Sequence, residues 1–117
     1  MSRESTLRSM YDALNSKDTA AVKDLIAEDA VFHMLPNPVI PATTLTGRDA
    51  ILEFMDEHIG HLDMKQEIAE ISTNGDFATV YVTSQSTAAD GSPLTVTWAD
   101  LFRFEGDRIQ GHVSLSV

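Results

Sequence analysis

The sequence predicts an α+β fold, with helices gathered in the first half and a strongly curved, mostly antiparallel sheet in the second. Three observations carry that expectation. Apolar residues recur at helical spacing as far as Leu62 and at every second position beyond it. The pairs Asn74-Gly75, Asp90-Gly91 and Gly106-Asp107 are turn signals that cut the second half into four alternating segments. Pro36, Pro38 and Pro41 interrupt the chain between the first strand and the last helix, because proline removes a backbone donor and fixes φ.

Each element has its own signal. Leu7, Met10, Tyr11 and Leu14 stand at i, i+3, i+4 and i+7, which predicts a helix over 3–15 ended by Asn15-Ser16-Lys17-Asp18. Asp18 is a good N-cap for a second helix whose stripe is Val22, Leu25 and Ile26, closing at Glu28-Asp29. Ala30–Leu35 reads as a short strand. Thr46, with Asp49 three residues on, opens a third helix whose inner face carries Ile51, Phe54, Met55, His58 and Leu62. Met64–Ser72, Asp76–Thr87, Leu94–Glu105 and Arg108–Val117 read as strands, three of them long enough to require bends or bulges. Helices on the concave side of long curved strands leave an apolar space, the usual form of a small-molecule site.

Composition limits what such a domain can do. The 117 residues, 43% hydrophobic and 22% charged, suit one globular domain over 1–117 rather than a disordered chain. A formal charge of −10 with only 8 Lys and Arg, scattered along the chain, leaves no basic footprint for nucleic acid and disfavours anionic membranes. The absence of cysteine excludes disulfide and thiolate chemistry. With no signal-like segment and no apolar run near the roughly 20 residues of a membrane span, the expected location is cytoplasmic. No phosphate loop, nucleophile elbow or cofactor fingerprint occurs, so no cofactor is expected.

The strongest candidate for chemistry is Asp100. Its strand sets Leu94, Val96, Trp98, Asp100, Phe102 and Phe104 on one face, a lone carboxyl among apolar and aromatic side chains. Burial there would raise its pKa and let it donate a hydrogen bond as a neutral acid; a charged Asp100 would instead orient a histidine or take a proton. Trp98 needs a partner for its indole N–H if buried. His112 is the second candidate, since a histidine titrates near neutrality. A two-residue Gly106-Asp107 turn would pair Phe104 with Ile109 and turn His112 away from Asp100. A three-residue Glu105-Gly106-Asp107 loop would pair Phe104 with Arg108 and set Asp100 opposite His112. Apolar patterning favours the first register. His33 is expected near the pocket mouth, and Met10, Met34, Met55 and Met64 could form an adaptable wall. His58 and His61 lack a third ligand, so no metal site is expected.

The stretch Asp29-Ala30-Val31-Phe32-His33, the proline loop, Thr46-Gly47-Arg48-Asp49-Ala50-Ile51, then Trp98-Ala99-Asp100-Leu101-Phe102-Arg103-Phe104 with Arg108-Ile109 and His112, resembles the SnoaL-like branch of the NTF2-like superfamily. The resemblance covers essentially the whole chain. It implies a cone in which a curved sheet wraps three helices around a pocket, and a homodimer formed through the outer sheet face. Ketosteroid isomerases, polyketide cyclases, limonene-type epoxide hydrolases, dehydratases and plain binding domains share this fold, so fold alone does not name the reaction. Compared with ketosteroid isomerase, Asp100 stands at the protonated oxyanion-hole aspartate, a case already known for its raised pKa. That enzyme's general base falls at Met34 and its tyrosine at Met10, one place before Tyr11, which argues against steroid isomerisation. The comparison with epoxide hydrolases places their last-strand aspartate at Ser114. The resemblance also favours the second register, with His112 and Ser114 inside and Ile109, Val113 and Leu115 outside.

The resulting expectation is a cofactor-independent isomerase, cyclase, dehydratase or hydrolase for a small apolar molecule such as a polyketide, terpenoid or steroid. Asp100 and His112 would transfer protons. Tyr11, His33, Met34, Trp98, Phe102 and Ser114 would line the ligand site. The rival expectations are a non-catalytic binding module and a dimeric association domain with a vestigial pocket.

Overall fold

The computed structural model describes residues 2–35, 42–59 and 64–116. The proline loop, His61 and Leu62, and the side chain of His58, fall outside what is described. The element order is α1 (Arg3–Asn15), a 3₁₀ segment (Thr19–Leu25), β1 (Ile26–Met34), β2 (Thr43–Thr46), α2 (Arg48–Phe54) running on into a π turn (Met55–Ile59), β3 (Lys65–Asn74), β4 (Phe77–Thr87), β5 (Pro93–Glu105) and β6 (Arg108–Ser116). The α+β class is as expected, with the helical segments on one face of a curved, unclosed six-stranded sheet.

In α1 the Ser2 hydroxyl caps the first turn by accepting the Ser5 N–H, and Leu7, Met10, Tyr11 and Leu14 are buried together on one side. Asp18 accepts the Ala21 N–H as expected of a cap, but the segment it opens is 3₁₀ and ends at Leu25. The expected helical stripe is therefore split: Ile26 begins β1, four residues earlier than Ala30. The β-branched Ile26 and Val31 favour extended backbone once the sheet gives them partners. The short strand β2 was not foreseen; it pairs antiparallel with β1, Phe32 facing Leu45 and His33 facing Thr44. Because Thr46 is committed to that ladder, the N-cap of α2 is Gly47, at φ +93°, rather than Thr46.

The sheet order is β2-β1-β6-β5-β4-β3, antiparallel except for the parallel β1–β6 pair. The three expected hairpins are present, with Gly75, Gly91 and Gly106 at positive φ in their turns. At the two turns beside α1, Arg3 gathers the chain: it donates to the Gly75 and Gly106 carbonyls, pairs with Asp76 at 2.7 Å and lies over the Phe104 ring. This clamp fixes one end of α1 across the concave face.

The last hairpin follows neither expected register. Its turn has two residues, so Phe104 pairs with Ile109. One extra residue, Gln110, then bulges from β6, and beyond it Phe102 pairs with His112 and Asp100 with Ser114. The bulge satisfies both constraints that a regular ladder sets against each other. Ile109 is fully buried, contrary to its expected place on the outer face, and His112 and Ser114 also point inward. Val113 and Leu115 do lie on the outer face, half-buried, beside the exposed Phe77, Tyr81 and Leu101.

Candidate functional site

The inner face of β5 carries Val96, Trp98, Asp100, Phe102 and Phe104, all buried. Helix α1 lies across it and brings Tyr11 down onto Asp100. β6, offset by its bulge, brings His112 and Ser114 alongside. Three donors converge on one carboxylate. The Tyr11 hydroxyl and the Trp98 indole N–H (3.1 Å) both donate to Oδ2, and His112 Nε2 lies 3.0 Å from Oδ1. Ser114, directly across the ladder from Asp100, adds a further side-chain hydrogen bond.

Of the two charge states expected for Asp100, this arrangement favours the ionised one. Burial pushes its pKa up, but the His112 charge and the hydrogen bonds from His112, Tyr11 and Ser114 outweigh it and hold the carboxyl below its ordinary value. Asp100 is an anion that accepts, rather than a neutral acid that donates. Tyr11 moves the other way: burial, then the Asp100 charge and the bond to it, hold the phenol well above its ordinary pKa. The two shifts agree on a protonated tyrosine donating to an ionised aspartate.

His112 is held as firmly. Its ring lies between Phe32 and Phe102, with centroids at 4.7 and 4.9 Å. With Nε2 on Asp100, the other nitrogen, Nδ1, is buried with no hydrogen-bond partner among the described residues. Such an orphaned atom is costly unless a ligand or water completes it. When the ring is neutral, an Nε2–H donated to Asp100 leaves a lone pair on Nδ1.

The space at this cluster is a cavity of about 50 Å³, walled by Met10, Leu14, Phe32, Met34, Met55 and Met64 on its apolar side and by Tyr11, Gln66, Trp98, Asp100, His112 and Ser114 on its polar side. A steroid or polyketide needs several hundred Å³, so this space as it stands suits only a small apolar group. Four of the walls are methionines, whose unbranched side chains repack readily.

The structure thus brings together Tyr11, Met34, Trp98, Asp100, His112 and Ser114 at one cavity. Phe102 is behind it, packed on His112 rather than lining it. His33 is elsewhere: strand alternation turns it to the exposed opposite face of β1, where Nδ1 meets the Thr44 hydroxyl at 3.1 Å. The expected place at the pocket mouth is corrected accordingly. Sequence reasoning missed Gln66. The signal available was a polar residue between Met64 and Ile68, on the side of β3 that otherwise faces inward.

Comparison with known proteins gives the family. No curated protein matches the sequence. Among solved structures, an NTF2-like protein of unknown function from Burkholderia pseudomallei aligns at 24% identity over 100% of this chain and 92% of its own, with a TM-score of 0.85. IdmH of Streptomyces antibioticus, a proposed polyketide cyclase, aligns at 24% identity over 99% and 92% with a TM-score of 0.82. A protein of ketosteroid isomerase-like fold from Catenulispora acidiphila, solved with trimethylamine, aligns at 19% identity over 93% and 82% with a TM-score of 0.79. At these identities the likenesses establish the NTF2-like fold. The profile of the SnoaL-like domain matches residues 7–112, and the chain belongs to that family.

Proposed function

We propose that this chain is a cofactor-independent enzyme that moves a proton on a small apolar molecule, with His112 as the base and Asp100 as its orienting anion. The observation that carries the reading is the buried 3.0 Å His112–Asp100 contact beside a Nδ1 that has no partner. Asp100 has its acceptor sites occupied by protein donors, so it acts through His112 rather than on the substrate. It holds the Nε2–H tautomer and stabilises the imidazolium that forms when Nδ1 accepts a proton. Tyr11, Trp98 and Ser114 keep the carboxylate ionised and in place.

A carbonyl compound with an acidic neighbouring C–H suits this site. Nδ1 takes the proton, leaving an enolate and an imidazolium. Return of that proton to a different carbon is an isomerisation; its delivery to a departing hydroxyl is a dehydration. The protein works as a homodimer through the outer face of β4, β5 and β6, where Phe77, Tyr81 and Leu101 are exposed. It resides in the cytoplasm. Among the described residues no helix is long and apolar enough to cross a membrane.

The test is deuterium uptake from D₂O at the α-carbon of small ketones, followed by mass spectrometry. The wild type should exchange, and His112→Ala should slow exchange about 10²-fold or more, the usual worth of a general base. Equal exchange by both proteins contradicts the proposal. A second reading, a binding module, draws support from the small cavity and the saturated carboxylate; binding of a ketone with no exchange in the wild type would favour it.

A further inference from the structure

Tyr11, Trp98 and Ser114 commit hydrogen bonds to Asp100. Of the five buried side-chain atoms without a partner among the described residues, only His112 Nδ1 belongs to a residue that lines the cavity. The ring keeps its place when it gains or loses a proton, because Phe32 and Phe102 pack against it and Nε2 stays on Asp100. The titratable groups that share the cavity with it are Asp100 from β5 and Tyr11 from α1; every other lining side chain, from α1, β1, the π turn, β3, β5 and β6, is uncharged. Asp100 is held below its ordinary pKa and Tyr11 above its own, so both keep their charge states around neutrality. His112 is the group of this cavity that changes charge there.

We infer that His112 reverses the ligand preference of the cavity with its own protonation: the neutral ring takes a compact apolar molecule with one hydrogen-bond donor, and the imidazolium takes one with a lone acceptor. With Nε2–H on Asp100, the neutral ring offers a lone pair on Nδ1, and a ligand without a donor leaves that atom buried and unmet. In the charged ring Nδ1 carries a proton, and a ligand that can only donate sets donor against donor. Shape is the same in the two states and polarity is opposite. This deepens the proposed function, and rests on it only for one consequence: a ketone binds most tightly to the form that cannot react, because the imidazolium has no lone pair to take a proton. For a ketone, KM and kcat should therefore both rise with pH.

The test is the ¹⁵N titration of the His112 ring in the wild type, alone and with saturating pyrrole or cyclopentanone, compact rings of similar size. Pyrrole has an N–H and no lone pair in its plane; cyclopentanone has a carbonyl and no donor. By linkage, a ligand that prefers one charge state stabilises it. Cyclopentanone should raise the His112 midpoint and pyrrole should lower it, each by about one pH unit, which is a tenfold preference. His33, exposed on the opposite face of β1, should not move with either. Calorimetry at the two ends of the titration should place the two ligands in opposite order, and His112→Asn should remove that pH dependence; should the variant fail to fold, the shifts in the wild type decide. Shifts of one sign with both ligands, no shift with either, or failure of either to bind overturns the inference. Deuterium exchange separates the two claims. Opposed shifts in a protein that exchanges no ketone proton uphold the switch in preference and remove the enzyme, whereas exchange without opposed shifts does the reverse.

Discussion

Replacing Tyr11 by phenylalanine deletes one hydrogen of the network and nothing of its shape. The account expects a loss of about 1–3 kcal/mol in urea denaturation, because a buried carboxylate loses a donor it cannot replace. The Asp100 carboxyl should also titrate higher in ¹³C NMR than in the wild type, since that bond is one of the causes that lower it. Asp100→Ala should cost more, about 3–5 kcal/mol, because it strands Tyr11, Trp98 and His112 together. An unchanged midpoint would mean that water takes over the lost contact, donating to the carboxylate in the first variant and serving the stranded donors in the second. The chemistry at this scale was half legible. Asp100 announces itself as the lone acid on an aromatic face, and its charge state does not, because desolvation can be read from neighbours on one strand whereas the compensating donors come from α1 and β6.

Elements show where local pattern and tertiary context part. The α1 stripe and the hairpin turns were readable because each rests on residues a few positions apart. The bulge at Gln110 was not: apolar alternation asked for Ile109 inside, the family resemblance asked for His112 inside, and only an extra residue grants both. The start of β1 was missed for a related reason, since Leu25 and Ile26 satisfy a helical stripe equally well until the sheet claims Ile26. At the far edge, Asn15 stands in for a neighbouring strand: its side-chain amide donates to the Gln66 carbonyl and accepts the Gln66 N–H, both at 2.7 Å. Asn15→Ala should destabilise the chain by about 1–3 kcal/mol and raise the exchange rate of the Gln66 amide in hydrogen-exchange NMR, with little effect on amides in β5. Uniform acceleration across the sheet would show instead that β3 does not open on its own.

The whole molecule should respond to pH through the same cluster. Asp100 is held below its ordinary pKa, so its contribution to stability is complete above the unfolded value of about 3.9 and is lost as pH falls through the folded one. Tyr11 is raised, so its contribution is complete below about 10 and is lost as pH climbs beyond that toward the folded value. Melting temperature against pH should show a plateau falling at both ends, and Tyr11→Phe should flatten the alkaline fall. The outer sheet face belongs to this scale too: Leu101→Arg should convert a dimer to monomers in analytical ultracentrifugation without lowering the melting temperature of the monomer. The measurement that bears most directly on the central claim is the ¹⁵N shift pair of the His112 imidazole at a pH where the ring itself is uncharged. The account predicts a protonated Nε2 on Asp100 and an unprotonated Nδ1; a ring protonated at Nδ1 and bare at Nε2 would make Asp100 the donor and contradict it.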